Sequence, residues 1–388
     1  MRTIRFLRWG DKEDAVLHCP SVVGGNATTL SRHLNEIGCS SICVAYERHS
    51  FGYHADVTLW RQDAGLLRRE VIRVVSVFRA VLGYQTIHFN FGTTMASPSI
   101  PPHKGDLGFF LYLLRRLHSV YSECLQIIEL SLVRMLKRNV FVTFQGDDVR
   151  QGDVSRAIFK QSIALHTDSS YYNPLSDQIK RRRARRICRV AKEISYVNPD
   201  LAHFLPIRSR FVPYCHTEVI DVQPTPAPKE TVGIGFVHAP SHRGSKGTAV
   251  VLSVVSQLEQ EGHNVRLTLL ENVPQSQVWK SLESNDILID QLYAGWYGGI
   301  AVEAFARARP VMAFIRETDL GVVDPQMVAE LPVIRTSADT LREDILALLE
   351  LSEAELTNIG VRSRSYALRW HSPELIAQTF AHEYLSKY

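Results

Sequence analysis

Short apolar runs that read as buried strands alternate with helical sequence along this 388-residue chain, and that alternation restricts it to largely parallel sheets covered on both faces. The pattern is plainest beyond residue 232, where Val232–His238, Val265–Leu270, Asp286–Asp290 and Pro310–Ile315 read as strands. Between them, Thr248–Leu258 carries Val250, Val251, Val254, Val255 and Leu258 on one helical face, and Ile300–Ala308 is a helix of small residues. The first half alternates similarly: strand Ala15–His18, helix Ala27–Ile37, strand Ile42–Tyr46, then strands near Thr86–Phe91, Val140–Phe144 and Ile194–Val197. Prolines 224, 226 and 228 cannot all sit inside a strand or helix, so 213–230 reads as an extended linker. The expected fold is α/β, with doubly wound domains at 1–215 and 222–367 and a last helix capped by Ser372 with Pro373 in its first turn. Ligands of such domains lie beyond the carboxyl ends of the strands, so the cleft between the two sheets is the expected site.

Composition narrows the class. A chain that is 45% hydrophobic and 22% charged is not disordered, and it contains no uncharged apolar stretch near the roughly 18 residues a membrane span needs. The basic start lacks the apolar core of a signal peptide, and the six cysteines are scattered without a Cys-x-x-Cys pair. These features predict a soluble, cytoplasmic protein with neither a disulfide framework nor a zinc cage.

Charge is divided unevenly. Residues 1–220 carry 30 Lys+Arg against 19 Asp+Glu, net +11, whereas 221–388 carry 14 against 21, net −7. The densest run, Lys180 to Lys192, reads either as a solvated helix face or as a surface for anionic lipid or a phosphate-bearing substrate. Nucleic acid is not a predicted partner, because no aromatic residues interleave with the run. Residues 107–118 are unusually apolar and aromatic; they read as a core helix, with a lipid-contacting surface helix as the alternative.

Several loops carry candidate chemistry. His238 to Thr248 follows a strand and opens a helix, and Arg243 and Lys246 there can hold phosphate with the helix N-terminus, although the spacing is not that of a Walker loop. Gly298 and Gly299 allow close approach of a ligand at another helix start, with Glu303 one turn inside. In the first half, Gly24 and Gly25 form a glycine turn between strand and helix. His88 and the cluster Gln145, Gly146, Asp147 and Asp148 lie at the ends of predicted strands. Gly233-Ile-Gly235 lies within a strand and is discounted as a dinucleotide fingerprint.

Together these segments resemble the retaining nucleotide-sugar glycosyltransferases of family 4, which have the two-domain GT-B fold of Rossmann-like halves facing a central cleft. The resemblance is strongest over 232–316. It implies an EC 2.4-type transfer of a sugar from a nucleotide diphosphate sugar to a glycan or lipid-linked saccharide, without metal or other cofactor, in cell-surface polysaccharide synthesis. It also implies that residues 368–388 form the helix that crosses back to the N-terminal domain. Gly24 and Gly25 match the family's N-terminal glycine loop, Arg243 and Lys246 its diphosphate-binding pair, and Glu303 its ribose-binding glutamate. Gln145, His88 and Asp147 become the candidate catalytic positions. Two departures stand out: Gly295 replaces the first glutamate of the family's pair, and Gln145-Gly146 replaces its His-Gly near the sugar. The alternatives are an epimerase or hydrolase of the same fold and a non-catalytic partner of that fold. The basic run adds a possible anionic membrane surface as partner, placing the enzyme peripherally on the inner face of the membrane.

Overall fold

A computed structural model describes residues 6, 13–48, 52–61, 63–97, 109–216, 219, 221–224 and 233–385. Seven strands, β1 (Glu13–Cys19), β2 (Ser41–Ala45), β3 (Val57–Thr58), β4 (Tyr84–Asn90), β5 (Asn139–Phe144), β6 (Glu193–Tyr196) and β7 (Arg210–Phe211), form one sheet in the order β3-β2-β1-β4-β5-β6-β7. Its helices are α1 (Asn26–Glu36), α2 (Leu66–Gly83), α3 (Phe109–Met135), α4 (Gly152–Ile158) and α5 (Pro174–Val190). The second sheet has the order β12-β11-β10-β8-β9, from β8 (Ile234–His238), β9 (Val265–Leu269), β10 (Ile287–Ile289), β11 (Val311–Ala313) and β12 (Ile334–Arg335). Around it lie α6 (Arg243–Lys246), α7 (Thr248–Gln260), α8 (Gln275–Ser284), α9 (Gly299–Ala306), α10 (Pro325–Ala329), α11 (Leu341–Leu349), α12 (Glu353–Trp370) and α13 (Pro373–Leu385).

Every ladder is parallel. Leu17 of β1 pairs with Ile42 on one side and Ile87 on the other, and Phe236 of β8 pairs with Leu267 and Ile287. These residues are buried, which explains why the strands are apolar runs and not alternating ones. The order of each sheet reverses once, between β1 and β4 and between β8 and β10. Loops leaving the strands at those switch points supply much of the cleft wall.

The start of the inter-domain connection is not a free tether. Tyr214, Cys215 and His216, expected to open an extended linker, are buried between the two halves; Pro226 and Pro228 lie outside the described residues. The last helix, α13, packs on the N-terminal domain. Phe380 and Tyr384 join an apolar cluster with Leu30, Leu34 and Phe141, and Arg210 hydrogen-bonds Glu383.

His88 is corrected by this packing. It lies in β4 beneath α13, with Nδ1 on the Tyr384 hydroxyl and Nε2 on the Thr143 hydroxyl at 2.7 Å. Burial holds its pKa well below the ordinary histidine value, so it is a neutral core histidine away from the cleft. The basic run is corrected too. Lys180 and Arg183 of α5 are buried, Lys180 over the Tyr172 ring and Arg183 donating to the Asp148 carbonyl. Arg181 pairs with Asp153 and Arg186 with Glu123, so the run is not one solvated face. Of the run 107–118, residues 107 and 108 lie outside the described residues, and Leu113, Leu114 and Leu117 of α3 are exposed, so its described part is not core as expected.

Because α13 is fastened by an aromatic patch, Phe380→Ala should destabilise the protein by about 3–5 kcal/mol. Thermal melting checks this, and an unchanged melting temperature would show that α13 is dispensable to the fold.

Candidate functional site

A cleft of about 390 Å³ lies between the domains, lined from one side by Gly24, Asn26, Gln145 and Asp147 and from the other by Lys246, Gly299 and Glu303. Of the sequence-expected site residues, seven therefore reach one place or its edge: Gly24, Gln145, Asp147, Lys246, Gly299 and Glu303 line the cleft, and Gly298 caps the start of α9 beside it.

The glycine turn is required by its backbone. Gly24 and Gly25 have φ of +64° and +69°, and a Cβ on Gly25 would meet the Tyr53 ring at 3.2 Å. The turn aims the Gly24 carbonyl at His216, whose Nδ1–H donates to it. The other ring nitrogen, Nε2–H, donates to Glu303 Oε1 at 2.7 Å. A carbonyl and a carboxylate both only accept, so His216 must donate from both nitrogens and is an imidazolium. Burial opposes that charge, but the hydrogen bond and charge of Glu303 and the Gly24 carbonyl raise the His216 pKa above its ordinary value.

Glu303 is consequently far from a free ligand group. Gln275 Nε2 donates to Oε1 at 2.5 Å and Trp279 Nε1 to Oε2 at 2.9 Å, in addition to His216. Three of roughly four acceptor positions are occupied by the protein, which leaves about one, on Oε2.

The diphosphate-binding expectation divides. Lys246 lines the cleft, its ammonium 2.6 Å from Asp290 Oδ1, while Asp290 Oδ2 accepts the Gly298 N–H at 2.5 Å. Asp290 thus ties the lysine to the α9 N-terminus. Arg243 is corrected: it is exposed, forms a bidentate pair with Glu271 at 2.7 and 2.5 Å, and does not line the cleft. Gly295 also has a physical reason. With φ of +86° and Arg316 Nη1 only 2.4 Å from where a Cβ would stand, this backbone has no room for a glutamate.

On the N-terminal side, the hydroxyls of Tyr171 and Tyr172 donate to the two oxygens of Asp147, and Arg150 lies 3.9 Å away. Burial alone would raise the Asp147 pKa; Arg150 and then Lys180 more than offset it, and the carboxyl is held below the usual range. Asp147 is therefore a fixed carboxylate and not a general acid near neutral pH. Gln145 Oε1 accepts from Asn26 at 3.2 Å, and its Nε2 is buried without a protein partner. Asp148 shapes this turn by accepting from the Gln145 and Gly146 amides at 2.7–3.2 Å.

Sequence reading missed His216, Asp290, Gln275 and Trp279. Asp290 carried a signal, being the polar residue that ends an apolar strand before a glycine turn. His216, in a presumed linker, carried none.

No protein-family model matches the chain, and no curated protein matches it. Among solved structures it is similar over 96% of its length to sucrose-phosphate synthase from Thermosynechococcus elongatus, at 13% identity, 98% coverage of that chain and a TM-score of 0.58. It is also similar over 97% of its length to a putative UDP-N-acetylglucosamine 2-epimerase from Listeria monocytogenes, at 10% identity, 98% coverage and a TM-score of 0.51. At such identities the likeness is one of fold, and the fold is GT-B: two doubly wound domains facing a cleft.

The His216–Glu303 pair generates a pH prediction. Its folded-state pKa lies above the unfolded value of about 6.5, so its stabilisation is complete below that pH and is lost as pH rises through the folded value. His216→Gln should lower the melting temperature most at and below about pH 6.5, and the difference from wild type should shrink in alkali. A difference that stays constant or grows with pH would show that the histidine is not charged in the fold.

Proposed function

We propose that this protein is a glycosyltransferase that moves a sugar from a nucleotide diphosphate sugar to a saccharide acceptor, with retention of configuration and without a metal. The observation that carries the reading is the convergence of Gly24, Lys246, Gly299 and Glu303, from two domains, on one GT-B cleft. Lys246 and the Gly299 and Ile300 N–H groups at the start of α9 would take the charge that develops on the leaving diphosphate. The remaining acceptor position on Glu303 would receive one ribose hydroxyl, and His216, Gln275 and Trp279 would hold the carboxylate in place for it. The fixed negative charge of Asp147 would stabilise positive charge on the transferring sugar ring, and Gln145 Nε2 would hydrogen-bond a sugar hydroxyl.

Proton transfer is assigned to the donor itself. Asp147 stays ionised, and the protons of His216 are committed to Gly24 and Glu303, so neither supplies a free acid or base. The leaving phosphate would then accept the proton of the acceptor hydroxyl. An epimerase of the same fold is the second reading, favoured by the full-length likeness to the putative epimerase. A screen of nucleotide sugars with and without saccharide acceptors separates the two, because an epimerase converts its donor without any acceptor.

Lys246→Ala should weaken nucleoside diphosphate binding by about 1.5–3 kcal/mol, roughly ten- to a hundredfold, whereas Arg243→Ala should leave it unchanged. Calorimetric titration of both variants checks this; equal loss in both, or none in Lys246→Ala, would remove Lys246 from the donor site.

A further inference from the structure

Four non-glycine residues among those described have a positive φ: Phe91, Lys137, Asn272 and Ala308. Three of them are ordinary. Lys137 and Ala308 lie in the turns that end α3 and α9, where a left-handed residue closes a helix, and asparagine tolerates that region. Phe91 is the exception. It follows β4 with φ of +56°, and Gly92 after it has φ of +51°. Two successive left-handed residues make a tight turn whose central positions Gly, Asn and Asp normally fill. A bulky aromatic side chain in such a position is strained.

The surroundings impose this turn. The Gly92 N–H donates to the Thr143 carbonyl at 3.1 Å, and the Thr93 hydroxyl to the Asn90 carbonyl at 3.1 Å. Just beyond, the buried carboxylate of Glu129 on α3 accepts the Met95 and Ala96 amides at 3.1 and 3.0 Å. The strain gains no core packing in exchange. Phe91 is only half-buried, belongs to none of the apolar clusters formed by the described residues, and lines the cleft. Tyr53 also lines the cleft, but its ring packs edge-on against His216, with 5.8 Å between centroids. A strained aromatic residue that stabilises nothing around it, on a turn held from both sides, is a feature of a binding site.

The position of the ring selects the ligand. β4 lies between β1 and β5 in the sheet, so Phe91 stands between the loop of Gly24 and the loop of Gln145 and Asp147. That is the N-terminal wall, whereas Lys246 and Glu303, assigned above to diphosphate and ribose, belong to the other wall. On the same wall as the ring, Asn26 Oδ1 and Gln145 Nε2 are buried without a protein partner. One is an acceptor and the other a donor, and exchanging O and N on both amides leaves one of each. An aromatic face in company with a donor and an acceptor fits a neutral ring that is apolar on its C–H face and hydroxylated at its edge. A pyranose has that form. A nucleobase also stacks on aromatic rings, but a ribose at Glu303 would carry its base along the opposite wall.

We propose that Phe91 is the platform on which the saccharide acceptor stacks, and that the left-handed turn at 91–92 serves to present it. This rests on the transferase reading, with the acceptor entering along the N-terminal wall.

The test combines stability with binding of defined probes to the full chain. Phe91→Asn suits the left-handed turn and should raise the melting temperature by about 2 °C, because it removes strain without removing core. The probes are the methyl glycosides of glucose, galactose, mannose and N-acetylglucosamine, titrated by NMR with UDP present. Wild type should bind at least one of them and shift the C–H protons of one sugar face upfield, as an aromatic ring beneath that face does. Phe91→Asn should abolish the shift and weaken the binding about tenfold, while Phe91→Tyr should keep both. Calorimetric titration with UDP should give the same affinity for wild type and Phe91→Asn, so failure of the donor site and failure of the platform are read separately. A glycoside that shifts on Phe91 in a protein that binds no nucleoside diphosphate would leave the platform standing and remove the transferase reading. A fall of several degrees in the melting temperature of Phe91→Asn would show the ring to be core and overturn the proposal. It would equally be overturned by wild type that binds none of the glycosides, by Phe91→Asn that binds them like wild type, or by a loss of affinity confined to UDP.

Discussion

The charge on His216 is the point on which the two halves of this molecule turn. The chain leaves the N-terminal sheet at β7, and five residues later it places an imidazolium between the Gly24 carbonyl of one domain and the Glu303 carboxylate of the other. Removing one partner from a buried pair leaves an uncompensated charge, typically at a cost of about 3–5 kcal/mol. The spacing of the cleft walls is therefore set by a strong, directional contact and not by apolar packing alone. The same contact orders the first turn of α9, because Gly299 packs on the His216 ring, with 3.2 Å between the ring and its would-be Cβ.

Around that bridge, every ionised group in the cleft is compensated in advance. Lys246 is held by Asp290, Asp147 by two tyrosines and Arg150, and Glu303 by three donors. Such a site does not attract anions by excess charge. It presents groups already fixed in place, so that little reorganisation is needed as charge moves from a sugar to a leaving diphosphate. This also accounts for the loss of Arg243 from the cleft: its bidentate pair with Glu271 satisfies it at the surface.

What could be read in the sequence was what local pattern determines. Buried parallel strands are apolar without interruption, so the sheet strands and the glycine loops that follow them were visible as runs and breaks. Gly24, Lys246, Gly299 and Glu303 were found because each stands where a strand turns into a helix. His88 misled because it also ends near a strand, and only the packing of α13 shows that it is covered. His216 was invisible because its role depends on two carbonyl and carboxylate partners, 192 and 87 residues away in the chain. The apolar run from residue 107 was read as core because hydrophobicity implies burial; its described leucines, Leu113, Leu114 and Leu117, are exposed, and the helix buries Leu125 and Val133 further along instead.

The central claim, that one ligand is held jointly by both domains, is tested most directly by amide hydrogen exchange with and without a nucleoside diphosphate sugar. The account predicts added protection at both 24–26 and 299–303 on addition of the same ligand, with the surface of α7 unchanged. Protection confined to one domain, or to neither of these turns, would contradict it.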